Sequence, residues 1–178
     1  MSVKEIEGVY EKDRIIIPLD EDTELLSRGG YGVVCEESSS LVLAHYEALY
    51  LLSENRITLR DRKTGEPLSL ESLLHRLNVS NSMIWTKYLI YRDLRSRGYV
   101  VREGIGWGIN FRLYDRGTYG KKAAKFIVLA ISEGTPMPIT QLKKALMLTQ
   151  NIKKELVIAV IDRQGVIVYY SLKKLNVW

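Results

Sequence analysis

The sequence predicts an α+β protein of mixed α/β elements. A small N-terminal mixed α/β domain over residues 1–80 is expected to precede a C-terminal domain over 81–178 with a mixed sheet flanked by helices. Three observations predict this. Short runs rich in isoleucine and valine alternate along the chain with stretches of helical periodicity. Glycine and proline punctuate those runs at turn positions. A polar break at residues 78–82 divides one amphipathic helix from the next, and helix, strands, helix and strands follow in order.

The elements read as follows. Residues 14–18, Arg-Ile-Ile-Ile-Pro, form a short strand closed by proline, and Gly29-Gly30-Tyr31-Gly32 is a turn entering a second strand at Val33. These glycines serve geometry, because neither a following Lys-Ser/Thr nor a spaced dinucleotide fingerprint accompanies them. From Ser40, the spacing of Leu41, Ala44, His45, Ala48 and Leu52 predicts a helix capped by residues 38–40. Residues 57–59 read as a strand and 63–67 as a turn. Leu70, Leu73, Leu74 and Leu77 fall on one helical face.

After the break, with Ser80 and Ser82 as candidate caps, a helix is expected over 83–97, stopped by Gly98. Strands are expected at 99–102, 109–114 and 126–131, the last apolar enough to be central. Pro136 and Pro138 open a helix with Ile139, Leu142, Ala145 and Leu146 inward, and two strands at 156–161 and 166–172 close the chain.

With 46% hydrophobic residues the chain can bury a core. No apolar run approaches the roughly 20 residues that span a bilayer, and Lys4, Glu5, Glu7, Glu11, Lys12 and Asp13 exclude a signal-peptide core. The expectation is a cytoplasmic protein with no membrane partner. The single cysteine, Cys35, reads as a small, partly buried apolar residue and excludes both an internal disulfide and a multi-cysteine metal site. No metal or cofactor is expected. The net charge is +5, and Arg92, Arg95, Arg97, Arg102, Arg112 and Arg116 are followed by Lys121, Lys122 and Lys125. This segment reads either as an RNA-facing surface or as a solvated face laced with ion pairs.

Tyr88, Tyr91, Arg92, Arg95 and Arg97 interleave on a helix that ends at Gly98 before Tyr99-Val100-Val101. A glycine-flanked aromatic turn, Gly106-Trp107-Gly108, then precedes a strand ending in Tyr114. With Lys125-Phe126-Ile127-Val128, the run 153–162, and Gly30-Tyr31-Gly32 with the segment 45–52, these motifs resemble the archaeal tRNA-splicing endonuclease family. The resemblance implies metal-independent RNA cleavage, in which a ribose 2′-hydroxyl attacks the adjacent phosphate and leaves a 2′,3′-cyclic phosphate and a 5′-hydroxyl. That chemistry needs a base, an acid and a cation, which the family supplies as tyrosine, histidine and lysine.

Carried over, the tyrosine matches Tyr114 and the lysine Lys154. The histidine position falls on Ala123, or on Ala124 if the loop is one residue longer. His45 and His75 lie in the other domain. Catalytic members also carry an arginine two helical turns before the lysine, where Met147 stands. The resemblance is therefore to a structural subunit, in which Tyr114 and Lys154 are remnants. Its implied partners are two catalytic chains in a heterotetramer of two plus two, and precursor tRNA. RNA contacts are expected from Arg92, Arg95, Arg97, Arg116, Lys121 and Lys122.

The family assembles through its last strand and an acidic turn before it. Here these correspond to Val168, Tyr169 and Tyr170, and to Asp162, the single acidic residue of Asp162-Arg163-Gln164-Gly165. The strand has apolar side chains on both faces and suits either an interface or an interior position. Trp178 would pack in that interface or form a loose end. Two other readings remain: an active enzyme that takes its acid from a partner or from Lys121, Lys122 or Lys125, and an RNA-binding module unrelated to splicing.

Overall fold

The structure is a computed structural model that describes residues 6–106 and 108–175. Lys4, Glu5, Trp107, Trp178 and the side chain of Ser80 lie outside the described residues. The chain divides into two compact units, residues 1–91 and 92–178. Its elements are β1 (Ile6–Glu11), β2 (Arg14–Pro18), α1 (Glu21–Arg28), β3 (Val33–Cys35), β4 (Ser40–Leu43), α2 (His45–Ser53), β5 (Ile57–Asp61), α3 (Leu70–Ser80), α4 (Ile84–Ser96), β6 (Val100–Gly106), β7 (Ile109–Tyr114), β8 (Phe126–Ser132), α5 (Ile139–Asn151), β9 (Glu155–Ile161) and β10 (Ile167–Leu172). No helix among the described residues is long and apolar enough to cross a membrane.

The first unit holds a sheet in the order β3-β4-β2-β1-β5, with only β1 and β5 parallel. Strand β1 was not expected from the sequence, because Glu7 and Gly8 interrupt its alternation. Gly8 has a steric reason to be there: a Cβ at that position would stand 2.7 Å from Leu59 and 3.0 Å from Ile17. Helix α1 was also missed, although Asp20 signals it. The Asp20 carboxylate accepts the Thr23 amide at 2.9 Å, and the Thr23 hydroxyl accepts the Asp20 amide at 2.6 Å.

Residues 40–43 correct the helix expected from Ser40. They form β4, paired on both sides with β2 and β3, and Ser40, Leu41 and Leu43 are buried. Leu41 fits the helical spacing with Ala44, His45 and Ala48 but also a period of two with Leu43, and pairing on both edges decides between them. The serines turn the β3–β4 hairpin instead of capping a helix, with Ser38 Oγ and Ser40 Oγ 2.6 Å apart. Helix α2 begins only after Ala44. Its cap is the buried carboxylate of Glu47, which accepts the amides of Ala44 at 2.9 Å and Gly32 at 3.0 Å. Helix α3 runs through Asn78 to Ser80, and Asn81, not Ser82, accepts the Met83 amide, at 3.1 Å.

In the second unit the sheet order is β10-β9-β8-β7-β6, with β8 central and β8/β9 the single parallel pair. Helix α5 makes the crossover and packs Ala145 with Ile109, Ile127, Leu129 and Leu156. Ile139 is 74% exposed, which corrects its expected place on the inward stripe; it is the first residue of α5, directly after the Pro138 cap. Helix α4 ends as the sequence indicates: Gly98 takes φ +89°, and the amides of Gly98 and Tyr99 donate to Arg95 and Leu94.

Replacing Glu47 by Ala removes two charge-assisted hydrogen bonds from a buried place and is expected to lower stability by about 2–4 kcal/mol in urea unfolding. Glu47→Gln keeps an acceptor and should cost less. Asp61 gives a pH test. Its carboxyl is held below the usual range by the Arg76 guanidinium, and also by the Lys63 and Thr64 amides at 2.7 and 3.2 Å. Its stabilisation is therefore present above the unfolded carboxylate pKa of about 3.9 and is lost as the pH falls below it. Asp61→Asn is expected to flatten the acid limb of a plot of Tm against pH.

Candidate RNA-binding site at one end of the second sheet

Strand register places the candidate site. Leu113 of β7 is opposite Phe126 of β8, and Phe126 is opposite Glu155 of β9. One position beyond these three stand Tyr114, Lys125 and Lys154, so they form a single row across the end of the sheet. Main-chain bonds continue into that row: the Lys125 amide donates to Leu113 O at 2.8 Å, and the Glu155 amide to Lys125 O at 3.4 Å. Two strand spacings separate the backbones of Tyr114 and Lys154 by about 10 Å.

Lys154 is positioned by the end of α5. Lys153 adopts φ +53°, its amide donates to Gln150 O at 3.0 Å, and the Lys154 amide donates to Thr149 O at 2.8 Å. This is a Schellman ending in which a lysine holds the left-handed position that glycine usually takes. The chain then passes directly into β9, and Lys153 and Lys154 are presented together beside the start of β8.

Between these segments lies a cleft of about 360 Å³, lined in part by Lys122, Ala123, Lys125, Lys153, Lys154 and Glu155. Ala123 is exposed on its wall, whereas Ala124 is buried. Glu155, the acid at the rim, is answered by Lys173 at 3.8 Å, and Lys125 Nζ lies 4.9 Å from the centre of the Phe126 ring. Tyr114 meets Tyr119 edge to face at 5.2 Å, and the Arg102 guanidinium lies over Tyr119 at 5.6 Å. Tyr119 and the middle position of Lys125 escaped the sequence reading. An aromatic residue inside a run ending in lysines was the available signal for Tyr119; the position of Lys125 had none, because it depends on register.

The remaining candidates fall elsewhere. Lys121 and Arg116 are exposed on the loop before β8, and Arg92 is exposed on α4. Arg95 lies 3.5 Å from Tyr99 O. Arg97 donates to Asp93 at 2.7 Å, as does the Tyr169 hydroxyl, and the guanidinium stacks over the Tyr169 ring at 5.2 Å. Burial, then the Asp93 carboxylate, pushes the Tyr169 hydroxyl well above the usual phenol range. Strand β10 is an edge, not an interior strand. Val168 and Tyr170, on the face opposite Tyr169, are 46% and 55% exposed. The Asp162 carboxylate accepts the amides of Gln164 and Val166, each at 2.8 Å, and so closes the β9–β10 turn.

The model of the tRNA intron endonuclease catalytic C-terminal domain matches residues 84–169, and that of the N-terminal domain of the same enzymes matches residues 6–74. The chain belongs to the tRNA intron endonuclease family. A tRNA-splicing endonuclease of Methanococcus vannielii is 35% identical over 169 residues, covering 95% of this chain and 94% of that protein. One from Thermococcus kodakarensis is 29% identical over 149 residues, 84% of this chain and 85% of the relative. One from Methanococcoides burtonii is 33% identical over 92% of this chain but only 45% of its own length. In this family member the sheet end carries tyrosine and lysine in one row, with an alanine on the wall of the adjoining cleft.

Lys153→Gly removes a side chain from a left-handed backbone and is expected to raise stability by about 0.5–1 kcal/mol in chemical unfolding. Tyr169→Phe deletes a hydroxyl that donates to a carboxylate and should cost about 1.5 kcal/mol by the same measurement.

Proposed function

We propose that this chain is a structural subunit of a tRNA-splicing endonuclease. It joins, two plus two, with a catalytic chain that cuts precursor tRNA at bulge-helix-bulge intron boundaries in the cytoplasm, leaving 2′,3′-cyclic phosphate and 5′-hydroxyl ends. Ala123 carries this reading. Departure of the 5′-oxygen calls for a proton donor with a pKa near the working pH, and a methyl group on the cleft wall donates nothing. Both histidines lie in the first unit. Met147, 53% exposed on α5, supports the same reading, since it offers a phosphate no cation. The apolar exposed face of the edge strand β10 supports docking onto a neighbouring subunit, because an open apolar edge in a lone chain invites aggregation.

One observation favours a second reading, an active enzyme with a substitute acid. Lys125 stands in the row between Tyr114 and Lys154, and its ammonium group is a proton donor. A bulge-helix-bulge precursor separates the two. The chain alone is expected to leave it intact, and to support cutting at both junctions when combined with a family chain that retains the histidine and arginine. Cleavage by the chain alone, abolished in Lys125→Ala, would establish the second reading instead.

A further inference from the structure

We infer that the outer edge of β3 docks a protein strand, an extended basic segment of a partner that adds to the first sheet. The lysines or arginines of that segment lie against carboxylates at one end of β3. The inference stands apart from the structural-subunit reading, because β3 shares no residue with the lysine cleft.

The backbone comes first. Strand β3 ends the order β3-β4-β2-β1-β5, and among the described residues it pairs only with β4. An antiparallel edge strand bonds its one neighbour through alternate residues and turns the other N–H and C=O groups outward, which makes a template for a further strand. Val33 and Val34 point to opposite faces, yet they are 63% and 42% exposed. Both faces of the edge therefore offer apolar surface to a strand lying alongside. The entry to β3 is already fixed, since Gly32 takes φ +63° and donates its amide to the buried Glu47 carboxylate at 3.0 Å. Little ordering of β3 is then left for the partner to impose.

Charge selects the occupant. Residues 18–43 carry six carboxylates, Asp20, Glu21, Asp22, Glu24, Glu36 and Glu37, against the single guanidinium of Arg28, although the chain as a whole is net +5. Arg28 is taken by Glu24 at 3.2 Å. The Leu19 amide donates to Ser39 O at 3.0 Å, which sets the start of α1 beside the turn that follows β3. Asp20 and Glu21 thus stand near Glu36 and Glu37, and all four are exposed. At the other end of the strand the Arg56 guanidinium lies over the Tyr31 ring at 5.1 Å. An acidic surface repels the phosphates of RNA, and two copies brought edge to edge set one acidic surface against another. A basic protein segment meets neither objection, and its amides continue the ladder.

The test uses the full chain and a labelled hexapeptide of alternating lysine and valine with blocked ends, followed by fluorescence anisotropy across a salt series. Two control peptides accompany it. One carries glutamate in place of lysine, and the other is N-methylated at every residue, so that it keeps its charge but has no amide to donate. The lysine peptide is expected to bind about tenfold more tightly than either. Glu36→Lys/Glu37→Lys should weaken it about tenfold at low salt, and Glu36→Gln/Glu37→Gln by less, with both losses shrinking as salt rises. Val33→Thr/Val34→Thr keeps the β-branched shape and should weaken it about threefold at any salt. All four positions are exposed, so these variants are expected to fold. Equal binding of the N-methylated peptide, or unchanged affinity in Glu36→Lys/Glu37→Lys, would overturn the docking strand. So would two results that give the edge to another occupant: an RNA hexamer bound less tightly by Val33→Thr/Val34→Thr than by the parent chain, or dimerisation of the parent chain in sedimentation that this variant loses.

Discussion

The parallel pairing of β8 with β9 is the constraint on which the second unit depends. Two neighbouring parallel strands cannot be joined by a tight turn, so the chain must travel the length of the sheet outside it and return. Helix α5 makes that journey and buries Ala145 against the sheet on the way. Where α5 stops decides where β9 starts. The Schellman ending at Lys153 therefore sets the register Phe126–Glu155, and through it the row in which Lys154 faces Lys125.

Much of this was legible in the sequence because it is local. Gly98 announces the end of α4, Pro138 the start of α5, and the motifs around Tyr114 and Lys154 lie within short continuous runs of sequence. What was not legible concerns relations between segments. Lys125 belongs to the row through pairing with strands that begin and end far away in sequence, and no periodicity within 121–126 expresses that. Residues 40–43 were misread for a related reason: Leu41 fits one period with Ala44 and Ala48 and another with Leu43, and only the partners on both edges select one. Strand β1 eluded a pattern search because its glycine serves the side chains of Ile17 and Leu59.

Strand β10 shows how a short run can divide its duties. In sequence Val168, Tyr169 and Tyr170 look like one apolar block. The period of two sends Tyr169 to Asp93 and Arg97, while its neighbours on either side remain exposed. The hidden tyrosine ties the edge strand to the end of α4, so the exposed residues ride on a fastened strand. A surface held in this way meets a partner with little ordering left to do.

Ala123 shows how little this fold depends on the residue at that position. Its methyl group is exposed on the wall of the cleft and is not among the buried residues of the core. A substitution at such an exposed position is expected to change stability by no more than about 0.5 kcal/mol, so folding alone places little demand on which side chain stands there. Glycines, turns and registers, by contrast, stay under the discipline of folding. Architecture and chemistry are thus specified by different residues, and a fold can be kept whole whatever becomes of a side chain such as this one.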